Sequence, residues 1–183
     1  MTARRQWLIV GVVLVALGAA LGIGVMTSGG AKILGPGAPA PDFTAVTVPD
    51  SGAGAPKHVA NYRGRPVLLN MWATWCAPCR DEMPRIEKLY EQLGDSGLQV
   101  VAVSIDNPGM TDAIRDFRKE MGLRFEILHD ESGRIRDDYQ TTGVPETFLI
   151  DAKGVVRRRL IGAAWTVDEQ LPLLRELLAE PAK

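Results

Sequence analysis

The sequence predicts an α/β sandwich: a mixed central sheet flanked by helices, preceded by one apolar N-terminal span. Three observations carry that expectation. Between residues 67 and 150, apolar strand-like runs alternate with segments of helical period, the pattern of packed strand and helix layers. The chain then closes with Asp151-Ala152-Lys153-Gly154, a hairpin turn between two strand-like runs, and a terminal amphipathic segment. Ahead of everything, Trp7 to Met26 is uncharged and has the length of about 20 residues that a helix needs to cross hydrocarbon.

Taken in order, Arg4 and Arg5 precede the apolar span and no basic residue follows it before Lys32. The positive-inside rule then holds the N-terminus in the cytoplasm and exports the rest. A cleaved signal peptide is the rival, with Gly18-Ala19-Ala20 as a weak site, but apolar residues run on past it. Residues 1–26 therefore read as a cytoplasmic tip and transmembrane anchor, and the Gly/Ala/Pro-rich residues 27–41 as a linker. Residues 42–183 read as the folded domain. Both N-terminal readings place that domain outside the cytoplasm, where thiols tend to be oxidised, and the anchor reading holds it at the cell membrane.

Within the domain, the Gly/Ala/Pro-rich stretch Pro49–Pro56 joins two short strands of an N-terminal hairpin. Val67-Leu68-Leu69-Asn70-Met71-Trp72 is a buried strand. Ile86, Leu89, Tyr90 and Leu93 recur at helical spacing, and Gly94 stops that helix. Leu98–Ile105 is a second central strand, and Asp112–Met121 a helix stopped by Gly122. A strand at Phe125–Leu128 and a helical turn at Ile135–Tyr139 follow, then strands Thr147–Ile150 and Val155–Ile161 and a helix over Val167–Leu178.

The net charge of −1 gives no basic field for nucleic acid. Arg157-Arg158-Arg159 lies inside a strand, where arginines solvate an edge. No cofactor or metal site is implied, since a zinc centre built on the two cysteines would lack two ligands.

Those cysteines, Cys76 and Cys79, are the only two in the chain and stand two residues apart where the buried strand gives way to a helix. A pair so placed has no separate structural framework to serve and suits exchange of a disulfide with another molecule. Unpaired N–H groups and the dipole of a helix N-terminus favour a thiolate. Cys76, nearer the helix start and beside Trp75, is the expected attacking sulfur; Cys79, one turn in, is the expected resolving one.

Trp75-Cys76-Ala77-Pro78-Cys79, Pro84 inside the following helix, and Gly143-Val144-Pro145 before a strand resemble the thioredoxins. The long run from Cys79 to Pro145 leaves room for an inserted strand and helix. With Ala40-Pro41-Asp42-Phe43 and Gly143–Asp151, it narrows the resemblance to the membrane-anchored TlpA/ResA-type thioredoxins, over about residues 38–179. The resemblance implies a thioredoxin-like sandwich with a cis-proline at Pro145, and client contacts from Trp75, Val144 and Pro145. Thioredoxin's buried aspartate is replaced here by Asn70, while Glu82 matches a glutamate that ResA-like members place beside their cysteines, implying a proton partner for Cys79. It further implies a membrane thiol-electron transporter as donor, and a client disulfide such as that of apocytochrome c haem-binding cysteines.

The other polar candidates read blandly. Arg80 is an exposed helix arginine, Glu146 after the proline is similar to the maturation thioredoxins or only faces solvent, His58 and His129 lie on the surface or in loops, and Asp106 and Asp130 cap turns. Two alternative functions share features with the chain. Peroxiredoxins also carry an Ala-Pro-Asp-Phe opening, but place a threonine where Ala73 stands. Copper chaperones of the same fold use CxxxC and a distal histidine, for which His129 is the available residue.

Overall fold

The computed structural model describes residues 34–181; the expected anchor, residues 7–26, lies outside them. Among the described residues no helix is long and apolar enough to cross a membrane. Seven strands form one sheet: β1 Ala45–Thr47, β2 Pro56–Lys57, β3 Val67–Trp72, β4 Gln99–Ser104, β5 Glu126–His129, β6 Glu146–Ile150 and β7 Val156–Ile161. Four helices accompany them: α1 Ala77–Leu93, α2 Thr111–Met121, α3 Arg134–Asp138 and α4 Val167–Ala179. The sheet order is β2-β1-β5-β4-β3-β6-β7. β3, β4 and β5 run parallel; β6 and β7 continue antiparallel on one side, β1 and β2 on the other. This is a thioredoxin-like α/β arrangement, with the mixed sheet and N-terminal hairpin that the sequence predicts.

β3 is buried along its whole length, as its unbroken apolar run requires of a central strand. Its side chains alternate between two apolar layers. Leu68 and Trp72 face the layer containing Met83, Ile86 and Leu89 of α1, with Phe117 of α2 and Leu174 of α4. Val67, Leu69 and Met71 face the layer with Phe43, Ile135 of α3 and Tyr139. The same alternation divides β6: Leu149 joins the α1 layer, Phe148 and Ile150 the other. α2 ends where Gly122 takes the left-handed conformation (φ 65°) that a side chain would resist, donating its N–H to the carbonyls of Arg118 and Lys119.

One boundary differs from the sequence expectation. Residues 34–41, assigned above to the linker, are built into the domain. Gly37 N donates to Val156 O and Val156 N to Ala38 O, each at 2.8 Å, and Ala40 N donates to Gly154 O at 2.8 Å. Leu34 is buried, and its carbonyl accepts from Arg159 Nη1 at 2.9 Å. Gly and Pro suggested a linker by composition, but this pairing uses backbone groups that composition does not display.

Candidate active site

α1 begins at the cysteine pair for local reasons. Cys76 is the N-cap, in extended conformation, with Ala77 and Pro78 opening the helix. Pro78 supplies a helical φ and lacks an N–H that would have had no partner in the first turn. The Cys79 N–H donates to Cys76 Sγ at 3.2 Å, and the Cys79 and Arg80 N–H groups both reach the Cys76 carbonyl. A thiolate on Cys76 would thus lie against the Cys79 N–H at the positive end of a helix of 17 residues.

In this structure the two sulfurs are joined as a disulfide. Cys79 is fully buried and Cys76 nearly so, at 4% exposure, so Cys76 is the sulfur a client reaches first. The Val144–Pro145 bond is cis, and the Val144 carbonyl oxygen stands 3.5 Å from Cys76 Sγ. Trp75 extends beside the pair, 68% exposed, a large apolar surface at the chemical centre. The expected residues Trp75, Cys76, Cys79, Val144 and Pro145 therefore meet at one point.

Asn70 occupies the α1 layer because its position on β3 alternates with Leu69 and Met71. Its Nδ2 donates to Glu82 Oε2 at 3.0 Å and to Thr147 Oγ1 at 2.9 Å. Thr147, on the same side of β6 as Leu149, donates to Glu82 Oε1 at 3.2 Å, and the Trp165 indole N–H donates to the same oxygen. Glu82 has no exposed surface and sits three residues from Cys79 on α1. Its burial lifts the carboxyl above the usual carboxylate range, against the pull of the Trp165, Asn70 and Thr147 hydrogen bonds and of the Arg85 charge. Such a group can hold or release a proton next to a buried thiol.

The loop before Cys76 is held by a residue read from sequence as a turn cap. Asp106, 3% exposed, accepts from Thr74 N (2.9 Å), Thr74 Oγ1 (2.7 Å) and Ser104 Oγ (2.7 Å). It thereby fixes the residue next to Trp75 from the end of β4. Asp106→Ala leaves the buried Ser104 hydroxyl and the part-buried Thr74 donors without this partner and is expected to cost about 2 kcal/mol. A urea unfolding midpoint unchanged by the substitution would show that the loop is held by other means. Asp130 does cap its turn, accepting from Ser132 and from Ile135 N.

Glu146 and His129 depart from their sequence reading, whereas Arg80 and the edge arginines keep theirs. Glu146 is fully buried rather than solvent-facing, paired with Arg159. It belongs to the layer of Phe148, across the sheet from Glu82. His129 is 2% exposed, with Nε2 3.0 Å from the Asp106 carbonyl oxygen and Nδ1 3.4 Å from Thr111 Oγ1. Its β5 position carries it into the sheet, so it is not a surface histidine or a free ligand. Arg80 lies over the Phe117 ring, 5.0 Å from its centroid, and pairs with Glu120. Arg157, Arg158 and Arg159 are each engaged by acidic, amide or carbonyl partners at the sheet edge. Thr147 and Trp165 were missed as site residues. The alternation of β6 was a usable signal for Thr147; Trp165 comes from 83 residues beyond Glu82 and had none.

Comparison with known proteins agrees with this geometry. Residues 36–159 match the family model described as AhpC/TSA family. The thiol-disulfide oxidoreductase ResA of Oceanobacillus iheyensis is 34% identical over 75% of this chain and 70% of its own length. ResA of Bacillus subtilis is 30% identical over 87% and 86%. A crystal structure of a thiol:disulfide interchange protein of the thioredoxin family from Chlorobium tepidum superposes with a TM-score of 0.65 at 25% identity, covering 79% of this chain and 97% of that one. With a disulfide-bonded Cys-x-x-Cys pair at the start of α1 and these relatives, the chain belongs to the AhpC/TSA family, among its thioredoxin-like thiol–disulfide oxidoreductases of the TlpA/ResA type.

Proposed function

We propose that this thiol–disulfide oxidoreductase is a membrane-tethered reductase of client disulfides outside the cytoplasm. The carrying observation is the buried Glu82 carboxyl, three residues from the fully buried Cys79 on the active-site helix. A reductase must deprotonate its resolving thiol inside the protein, and Glu82 is the group placed to take that proton. Supporting the location are Arg4 and Arg5, followed by the apolar run from Trp7 to Met26 that would tether it to lipid.

The reaction has two exchanges. The Cys76 thiolate attacks one sulfur of the client disulfide, forming a Cys76–client disulfide and releasing the other client sulfur as a thiolate. Cys79 passes its proton to Glu82 and attacks Cys76 Sγ, closing the Cys76–Cys79 disulfide and releasing the second client thiolate. Two electrons leave the dithiol for the client. The bonded pair seen here is the product of that direction, and a membrane thiol-electron transporter would restore the dithiol. Trp75 and the Val144–Pro145 loop receive the client chain, for which the haem-binding cysteines of an apocytochrome c are a fitting class: two cysteines in an unfolded segment.

Cys79→Ser tests this directly. Without a resolving thiol, the Cys76–client disulfide is expected to accumulate in membranes and disappear on adding reductant. Recovery of apocytochrome c supports the maturation role. Recovery of many multi-disulfide proteins replaces it with isomerisation or general reduction.

A further inference from the structure

Trp165 has no part in the chemistry described so far, yet it is almost fully buried, at 6% exposure, with its indole N–H on Glu82 Oε1. It lies in the segment between β7 and α4, which is fastened at three places. Gly162 N donates to the carbonyl of Pro145 at 2.9 Å. Arg85 Nη2 donates to Ala163 O at 2.6 Å, with the Arg85 guanidinium 5.6 Å from the centre of the Trp165 ring. Trp165 itself closes on Glu82. One short segment thus touches both the client loop and the buried carboxyl.

The donors on Glu82 differ in what they allow. A threonine hydroxyl turns to donate or accept, and an asparagine amide presents either end, but an indole N–H only donates. Trp165 therefore reserves Oε1 as a hydrogen-bond acceptor. Oε2, facing Asn70, is left as the oxygen that takes a proton. Asn70 Oδ1 is buried without a partner, an acceptor that rotation of the amide would bring to a protonated Oε2. The charged group acting on Glu82 is Arg85, on the same helix; Asn70 from β3, Thr147 from β6 and Trp165 from the β7–α4 segment are neutral, and Cys79 becomes titratable once reduced.

We propose that Trp165 is a positioning residue for thiol–disulfide exchange: its indole N–H orients the Glu82 carboxylate and directs the Cys79 proton to Oε2. The inference rests on the reading of Glu82 as proton partner of Cys79.

Trp165→Phe keeps a ring for Arg85 and removes the N–H together with the rest of the pyrrole ring. In the oxidised full-length protein, which has no thiol to couple with, the Glu82 carboxyl titration is followed by carbon NMR. It is expected to move to higher pH in the variant, because a bond favouring the ionised form is gone. In the reduced protein, exchange with an aromatic nitrobenzoate disulfide is expected to slow on the order of tenfold on the acidic limb of the pH–rate profile. The two profiles should converge at high pH. If Trp165→Phe titrates like the wild type while Glu82→Gln flattens the profile, the inference falls and the Glu82 reading stands. An inflection that survives Glu82→Gln overturns the reading and the inference together.

Discussion

Cys76→Ser is expected to lower the rate of disulfide reduction on the order of 10⁴-fold or more, the scale of losing a covalent nucleophile. A hydroxyl at this N-cap would still accept the Cys79 N–H, as serine commonly does, so the helix start and the fold are preserved. What disappears is the more exposed of the two cysteines, 4% against none for Cys79. The remaining thiol lies inside the protein and cannot meet a client disulfide. Reduction of a model protein disulfide, followed by the appearance of free thiol, checks this against Cys79→Ser. The two should fail differently: Cys76→Ser forms no mixed disulfide, whereas Cys79→Ser forms one and stops. Substantial turnover by Cys76→Ser would falsify the assignment of the attacking sulfur.

Glu82→Gln is expected to slow the resolving step by about 10²-fold at neutral pH, the lower end of what a positioned acid–base group contributes. Its effect on stability has the opposite sign. The folded protein holds the Glu82 proton more tightly than the unfolded chain, because burial disfavours the ionised form. Stability from this group is therefore fully present below the ordinary carboxylate range and is lost as pH rises through the raised folded value. The neutral amide has no such loss. The variant should be the more stable protein above that window and should lack this part of the pH dependence. The amide nitrogen would face Asn70 Nδ2, donor against donor, but rotation of Asn70 offers its unpartnered Oδ1 instead. Urea titrations at several pH values test the sign: a variant less stable throughout would mean that the carboxylate's bonds outweigh its burial.

The sequence made the local features visible and hid those that depend on long-range pairing. β3 is Val67–Trp72, as read from its apolar run, and α1 ends at Leu93. The cysteine pair announces itself because exchange needs two neighbouring thiols, and Val144-Pro145 through its resemblance to the thioredoxin loop. Glu82 was visible through its match to the glutamate of ResA-like proteins. Its fixation was not, because Thr147 and Trp165 come from strands and segments 65 and 83 residues away. Asp106 read as a turn cap for the same reason: its partner Thr74 lies 32 residues earlier. Glu146 and His129 read as exposed because their types favour solvent, and only their strands bury them. Residues 34–41 read as linker because a strand-like pairing of Gly, Ala and Pro has no hydrophobic period.

β6 carries two neighbouring positions, Glu146 and Thr147, into opposite layers of the molecule. Which of them meets the redox helix is decided by pairing register alone, since successive side chains on a strand point to opposite faces. A slip of one residue against β3 would put a second carboxylate into the layer of Glu82 and send the threonine across the sheet. Two buried acids would then face each other there, and Arg159 would lose its carboxylate partner. The hydrogen-bond ladder between β3 and β6 thus acts as a selector of protonation chemistry, admitting one carboxyl to the thiols and keeping the other on the far side.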